Sequence, residues 1–100
     1  MTDTKATPQE PFDAATVRRR IRSALSGGQV IWSGHAETEM RKAGITKVEG
    51  AQILRSGIPA PGELERDSWR YRVETRTACL VVTFLKEPDL VVVTAWRRRR

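Results

Sequence analysis

The side chains of this chain that can move a proton or hold an anion gather in two places. One is the segment Ser33-Gly34-His35-Ala36, which contains the single histidine. The other runs from Trp69 to the terminal Arg97-Arg98-Arg99-Arg100 and is rich in arginine. One His and one Cys (Cys79) cannot build a Cys/His cluster, so no metal site is expected. Phosphate-binding glycine loops, dinucleotide fingerprints and a nucleophile elbow are all missing from the sequence. What remains is a set of guanidinium groups, one imidazole, one phenol and a few carboxylates. That inventory suits RNA cleavage without metal or cofactor, in which the substrate's own 2′-hydroxyl attacks the neighbouring phosphate. Such a reaction needs a base for the 2′-hydroxyl, an acid for the leaving 5′-oxygen, and cations at the phosphate.

His35 is the first candidate for base or acid, because an unperturbed imidazole titrates near pH ~6.5. Its place at a helix amino end favours the neutral, proton-accepting form. Glu39, four residues on, shares its helix face and is placed to orient it. The bland alternative is a histidine that only packs or caps at that helix start. Arg70, Arg72 and Arg76 fall on one side of a strand, with Arg72 the most central and the best phosphate contact. Arg97 joins it where the last strand leaves its apolar run. Tyr71 and Lys86 are the reserve catalytic groups, although alternation sends Tyr71 to the core side with Trp69, and Lys86 sits near a hairpin turn. Trp96 reads as a packing or rim residue. Arg98 and Arg99, in the terminal run, add electrostatic affinity for RNA without reading sequence.

Charge points the same way. Of the net +6, residues 68–100 carry +5. Of the 18 basic residues only Lys5, Lys42, Lys47 and Lys86 are lysines. Guanidinium forks grip phosphate in two-pronged fashion, although an arginine-rich genome would leave the same bias and an acidic protein would feel the same field. No apolar run approaches the ~20 residues that span a bilayer. The amino terminus lacks the layout of a signal peptide, and the lone cysteine allows no internal disulfide, so a cytoplasmic protein is expected.

The elements that must position these groups follow from capping and periodicity. Residues 1–12 are polar and contain Pro8 and Pro11, and are expected to be a disordered lead-in. Asp13 is a helix N-cap, and Phe12 before it can staple against Val17. Ala14, Val17, Ile21, Ala24 and Leu25 recur at helical spacing, while Arg18, Arg19, Arg20 and Arg22 take the other faces. Gly27-Gly28 ends that helix. Gln29 to Trp32 reads as an edge strand or a packed connector. Ser33-Gly34 starts a second helix that stops at Gly44. Thr46 to Glu49 is a capping box for a third, closed by Gly57. Ile58 to Gly62 reads as a rigid extended link. Strands are expected over residues 69–77, 79–86 and 90–97, the last two joined by a Glu87-Pro88-Asp89 turn. Helices first and strands after give an α+β fold, with two to three helices on one face of a three- to four-stranded antiparallel sheet.

Taken together, Ser33-Gly34-His35-Ala36, Met40, Gly44-Ile45-Thr46 and Leu54-Arg55-Ser56-Gly57 resemble the motif order of a small bacterial domain of unknown function. That domain is grouped with the MqsR and RelE-like toxin superfamily. Trp69 to Val73 and Val91 to Arg97 are similar to its strand motifs, and the likeness covers roughly residues 14–97. The resemblance implies a RelE/MqsR-like fold, here a single domain over residues 13–97, and the charge run at 98–100 reads as a basic tail. It also implies the toxin of a type II toxin–antitoxin module, a metal-independent endoribonuclease that cuts mRNA, in some cases on the ribosome, and is held by a cognate antitoxin. By motif position it supports His35, Arg72 and Arg97. The alternative reading is a non-catalytic RNA- or protein-binding module on the same scaffold.

Overall fold

Asp13 opens the first helix as expected: its backbone is extended and its carboxylate accepts from Thr16 N at 2.8 Å, which satisfies an N–H of the first turn that has no partner within the helix. In the computed structural model, which describes residues 9–98, this helix is α1 (Ala14–Ser26). β1 (Val30–Trp32), α2 (Gly34–Ala43) and α3 (Lys47–Ser56) follow it. Five strands complete the chain: β2 (Ile58–Pro59), β3 (Glu63–Glu65), β4 (Ser68–Glu74), β5 (Ala78–Phe84) and β6 (Leu90–Arg97). Ser33 and Thr46 cap α2 and α3, their hydroxyls accepting from Ala36 N at 2.9 Å and Glu49 N at 3.0 Å. Gly44 ends α2 at φ 70°, a left-handed conformation that a side chain would disfavour.

The fold is α+β, but its sheet differs from the expected one in size and sense. It is a six-stranded mixed sheet in the order β1-β6-β5-β4-β2, with β3 also paired to β4. The β4–β5–β6 meander is antiparallel, whereas β1 runs parallel to β6, with Val30 opposite Leu90 and Trp32 opposite Val92. The expected link at residues 58–62 begins as a short strand. Ile58 and Pro59 pair with Glu74 and Val73, and Ala60 N donates to Arg72 O at 2.8 Å. Two prolines hid this edge, because a strand that uses only one side of its backbone tolerates a missing donor. Next, Glu63 to Glu65 folds back on Arg70 to Ser68 through a two-residue turn at Arg66 and Asp67, with φ 52° and 67°. Both angles belong to the mirror-image turn that suits the twist of a hairpin.

Alternation divides the sheet into two faces. Tyr71, Val73, Leu80, Val82, Leu90, Val92 and Ala95 join Val17, Ile21 and Ala24 of α1, Ala36 and Met40 of α2, and Ile53 and Leu54 of α3 in one core. Arg70, Arg72, Val81, Thr94 and Trp96 alternate with these residues and belong to the opposite face.

Phe12, at the end of the expected lead-in, packs against the core. Tyr71 Oη donates to Glu10 Oε2 at 2.8 Å and accepts from Phe12 N at 3.0 Å. The Phe12 ring stacks on Tyr71 at 6.0 Å, and both rings tilt against Phe84, so Phe12 turns to this cluster rather than serving only as a staple. Residues 1–8 lie outside the described residues. Where the chain crosses the Tyr71 ring it carries Gly62, at which a Cβ would come within 2.6 Å of Tyr71 Cε2. Arg20, expected away from the apolar face of α1, is buried at 7% exposure. Its guanidinium lies 5.4 Å from the Phe12 ring centre and 5.0 Å from that of Phe84, and its Nη2 donates to Leu85 O at 2.8 Å. Ring faces and a carbonyl thus replace water around this cation.

Candidate functional site: a cleft between α2 and the open sheet face

The position of His35 is decided by an irregularity in β6. Val81 pairs with Thr94 but Val82 pairs with Val92, so Val93 is an extra residue in the ladder. Such a bulge re-aims the strand locally. Here the Val93 carbonyl accepts from Ser33 Oγ and the Val92 carbonyl from Ser33 N, both at 3.1 Å. The same Ser33 hydroxyl accepts from Ala36 N. One serine therefore caps α2 and fastens its first turn to the middle of β6. His35, exposed on that first turn, is set at the border of the open sheet face.

The result is an open cleft of about 390 Å³ lined by His35, Glu63, Glu65, Arg70, Arg72, Val81, Val93, Thr94 and Trp96. The helical half of the chain and the arginine-rich sheet do meet. Register gives the internal order: Arg72 stands opposite Val81, and Val81 opposite Thr94. The guanidinium groups are not free. Arg72 Nη2 contacts Glu63 Oε2 at 2.8 Å, and Arg70 Nη1 lies 3.8 Å from Glu65 Oε1. Glu63 holds the Arg72 proton still more firmly, raising its already high pKa. Arg70 Nε is buried with no hydrogen-bond partner among the described residues. Two cations, two carboxylates and one imidazole thus share the cleft, which has no excess of positive charge.

Other expected site residues lie elsewhere. Tyr71 is fully buried on the helix side of the sheet, and burial pushes its phenol up to about 12, with the Glu10 carboxylate adding to the shift. It is a core residue. Arg97 stands opposite Ala78 and two residues beyond Ala95, on the helix side as well. Its Nε and Nη2 donate to Ala43 O and Gly44 O, each at 3.1 Å, and its two Nη atoms meet the Glu49 carboxylate at 2.6 and 3.0 Å. Arg97 therefore caps the carboxyl end of α2 and ties it to α3. That bond with Arg97 lowers the Glu49 pKa.

Lys86 belongs to the β5–β6 turn, where its carbonyl accepts from Asp89 N at 3.0 Å. Arg76 and Arg98 line a second depression with Glu74, Thr75 and Ile58. Arg98 is anchored there, donating to Thr75 O at 2.8 Å, rather than forming part of a tail. Arg99 lies outside the described residues. Glu39, expected to orient His35, contacts Lys42 at 3.3 Å instead.

Of the expected set, the structure brings together His35, Arg70 and Arg72. It adds Glu63, Glu65, Thr94 and Trp96. The signal for the two carboxylates was a mirrored spacing, Glu63-x-Glu65 before Arg70-x-Arg72, legible only once Arg66-Asp67 is recognised as a turn. Among the described residues, no group of three His, Cys, Asp or Glu side chains is placed to hold a metal ion. Among them too, no helix is long and apolar enough to cross a membrane. No family model, curated protein or solved structure matches the chain.

Proposed function

We propose that this cleft cleaves RNA and that the chain is the toxin of a type II toxin–antitoxin pair, a metal-independent endoribonuclease on a RelE/MqsR-like scaffold. The observation that carries this reading is the meeting of His35, from the first turn of α2, with Arg70 and Arg72 of β4 in one cleft. A phosphodiester seated there takes the Arg72 fork from Glu63. The ion pair it displaces is exposed and therefore weak, and the displaced carboxylate is left free as a proton acceptor. The 2′-hydroxyl gives up its proton as O2′ bonds to phosphorus, and the P–O5′ bond breaks as O5′ receives one. The products are a 2′,3′-cyclic phosphate and a 5′-hydroxyl. His35 takes one proton-transfer role and the freed Glu63 the other, each worth about a hundredfold or more in rate. Arg70 and Arg72 stabilise the charge that builds on the phosphate. Tyr71, Lys86 and Arg97 have no part in this scheme.

The cleft's balanced charge favours a second reading, a module that binds RNA or an acidic protein segment without cutting. Inducible expression followed by mapping of cellular RNA ends separates the two. New 5′-hydroxyl ends are expected for the wild type and their loss for His35→Ala and Arg72→Ala, with unchanged circular dichroism. Equal growth arrest and equal RNA ends in both variants would overturn the site. Binding with no new ends in any form would favour the module.

A further inference from the structure

Among the described residues Trp96 is the only aromatic side chain that is large, apolar and exposed, at 39%, and it lines the same cleft as Arg70 and Arg72. In register it stands opposite Cys79, which stands opposite Glu74; Arg72 is two residues along β4 from Glu74. Two strand spacings across and two residues along put the Arg72 and Trp96 Cα atoms about 12 Å apart. Both side chains line the cleft, with the Arg72 guanidinium held by Glu63 of β3. Between them lie Val81 and Thr94, a short apolar side chain and a short hydroxyl, so the floor is low and lightly polar.

The cleft thus combines a planar aromatic at one side, guanidinium forks at the other and a smooth floor between. Bases present their flat faces to such a platform only when unpaired, because in a duplex those faces are covered by neighbouring pairs. Aromatic platforms beside basic groups are the usual means of holding single strands. The competing account is that Trp96 merely shields Cys79. Shielding Cys79 leaves unexplained why Trp96 stays 39% exposed and lines the cleft. A packing residue at a strand end needs no arginine pair facing it.

We infer that the cleft takes single-stranded RNA, with an unpaired base stacked on Trp96 and an adjoining phosphate on Arg72. This rests on the RNA reading above, and the test keeps the two apart. The probe is a short oligonucleotide with 2′-O-methyl sugars, which lacks the nucleophile and stays intact, offered as a single strand and as a duplex of the same sequence. The readout is intrinsic tryptophan emission. Trp32 and Trp69 are partly buried against the core, so a contact in the cleft reports through Trp96. The single strand should quench emission saturably and the duplex should not. Trp96→Leu should abolish the quench and weaken binding by about tenfold to a hundredfold. Trp96→Phe should bind within a few-fold of wild type, which controls for a folding defect in the leucine variant. Equal quenching by the duplex, or undiminished affinity of Trp96→Leu, overturns the stacking inference while leaving an RNA-binding cleft in place. Failure of both oligonucleotides to bind the wild type, at low salt, overturns the RNA reading itself.

Discussion

Replacing Tyr71 by phenylalanine separates a structural tyrosine from a catalytic one, and its cost follows from two bonds. The hydroxyl donates to Glu10 at 2.8 Å and accepts from Phe12 N at 3.0 Å. A neutral hydrogen bond contributes about 1 kcal/mol net, and one to a charged acceptor somewhat more. Glu10 is exposed, so its share stays near the neutral value. Tyr71→Phe should therefore destabilise by about 2 kcal/mol, lowering Tm by roughly 10 °C in a domain of this size. The ring contacts with Phe12 and Phe84 survive the substitution. In a Glu10→Ala background the same change should cost only about 1 kcal/mol, because one partner has already gone. Thermal unfolding followed by circular dichroism on the four proteins of this cycle gives both numbers. A Tm unaltered by Tyr71→Phe, or strictly additive costs, would refute the Glu10 latch. Loss of RNA cleavage with Tm intact would return Tyr71 to the chemistry. The pH dependence checks the same site. The phenol's folded pKa is raised, to about 12, so its contribution to stability is whole below the unfolded value near ~10 and declines as pH rises through the folded one. Because Tyr71 is the only tyrosine, its tyrosinate absorbance should appear well above pH ~10 or together with unfolding.

Arg97→Met should lower Tm by several degrees through loss of the α2 cap and the Glu49 pair, with Glu49→Gln reproducing part of the loss; a catalytic Arg97 would instead lose activity at constant Tm. Arg66→Asn combined with Asp67→Gly should stabilise by about 1 kcal/mol, since both positions hold a left-handed backbone that costs ordinary residues about that much; an unchanged or lower Tm would argue against the turn. Burial pushes the Cys79 thiol up to about 11, so only about one thiol in a thousand is ionised at pH 8. A disulfide reagent should therefore label Cys79 only on unfolding, and rapid labelling of the native protein would contradict its burial.

What was legible in the sequence is what local chemistry decides. Asp13, Ser33 and Thr46 cap helices through atoms three residues away, so α1 to α3 can be read almost to the residue. The β4–β5–β6 meander carries its own alternation and turn residues. What was hidden depends on partners far along the chain. β1 is three residues long, and its parallel partner begins at Leu90, sixty positions later. β2 and β3 were masked by Pro59, by Pro61 and by a turn made of Arg-Asp in place of the usual Asn-Gly. Arg20 looked like one of four surface arginines because nothing near it in sequence shows that Phe12 and Phe84 enclose it. Arg97 looked free because its carbonyl partners and Glu49 precede it by about fifty residues.

The same distinction bears on where the charge does its work. The net +6 suggested a sheet that attracts anions by sheer excess, yet Arg70 and Arg72 face Glu65 and Glu63 and the cleft is close to neutral. Among the described residues, arginines exposed outside it include Arg18 and Arg22 of α1 and Arg76 beyond the end of β4. Attraction and recognition are thereby separated. The outer arginines supply a long-range field that salt screens. Under the proposed function the cleft would discriminate by exchange, since an entering phosphodiester must replace a carboxylate on a guanidinium fork. A phosphodiester brings a two-oxygen face that fits the fork, whereas a sulfate or a free carboxylate brings no base for Trp96. This division explains why the bulge at Val93 matters more to the site than the length of the arginine run. It holds Ser33, Ser33 holds the first turn of α2, and that turn sets His35 beside the exchange.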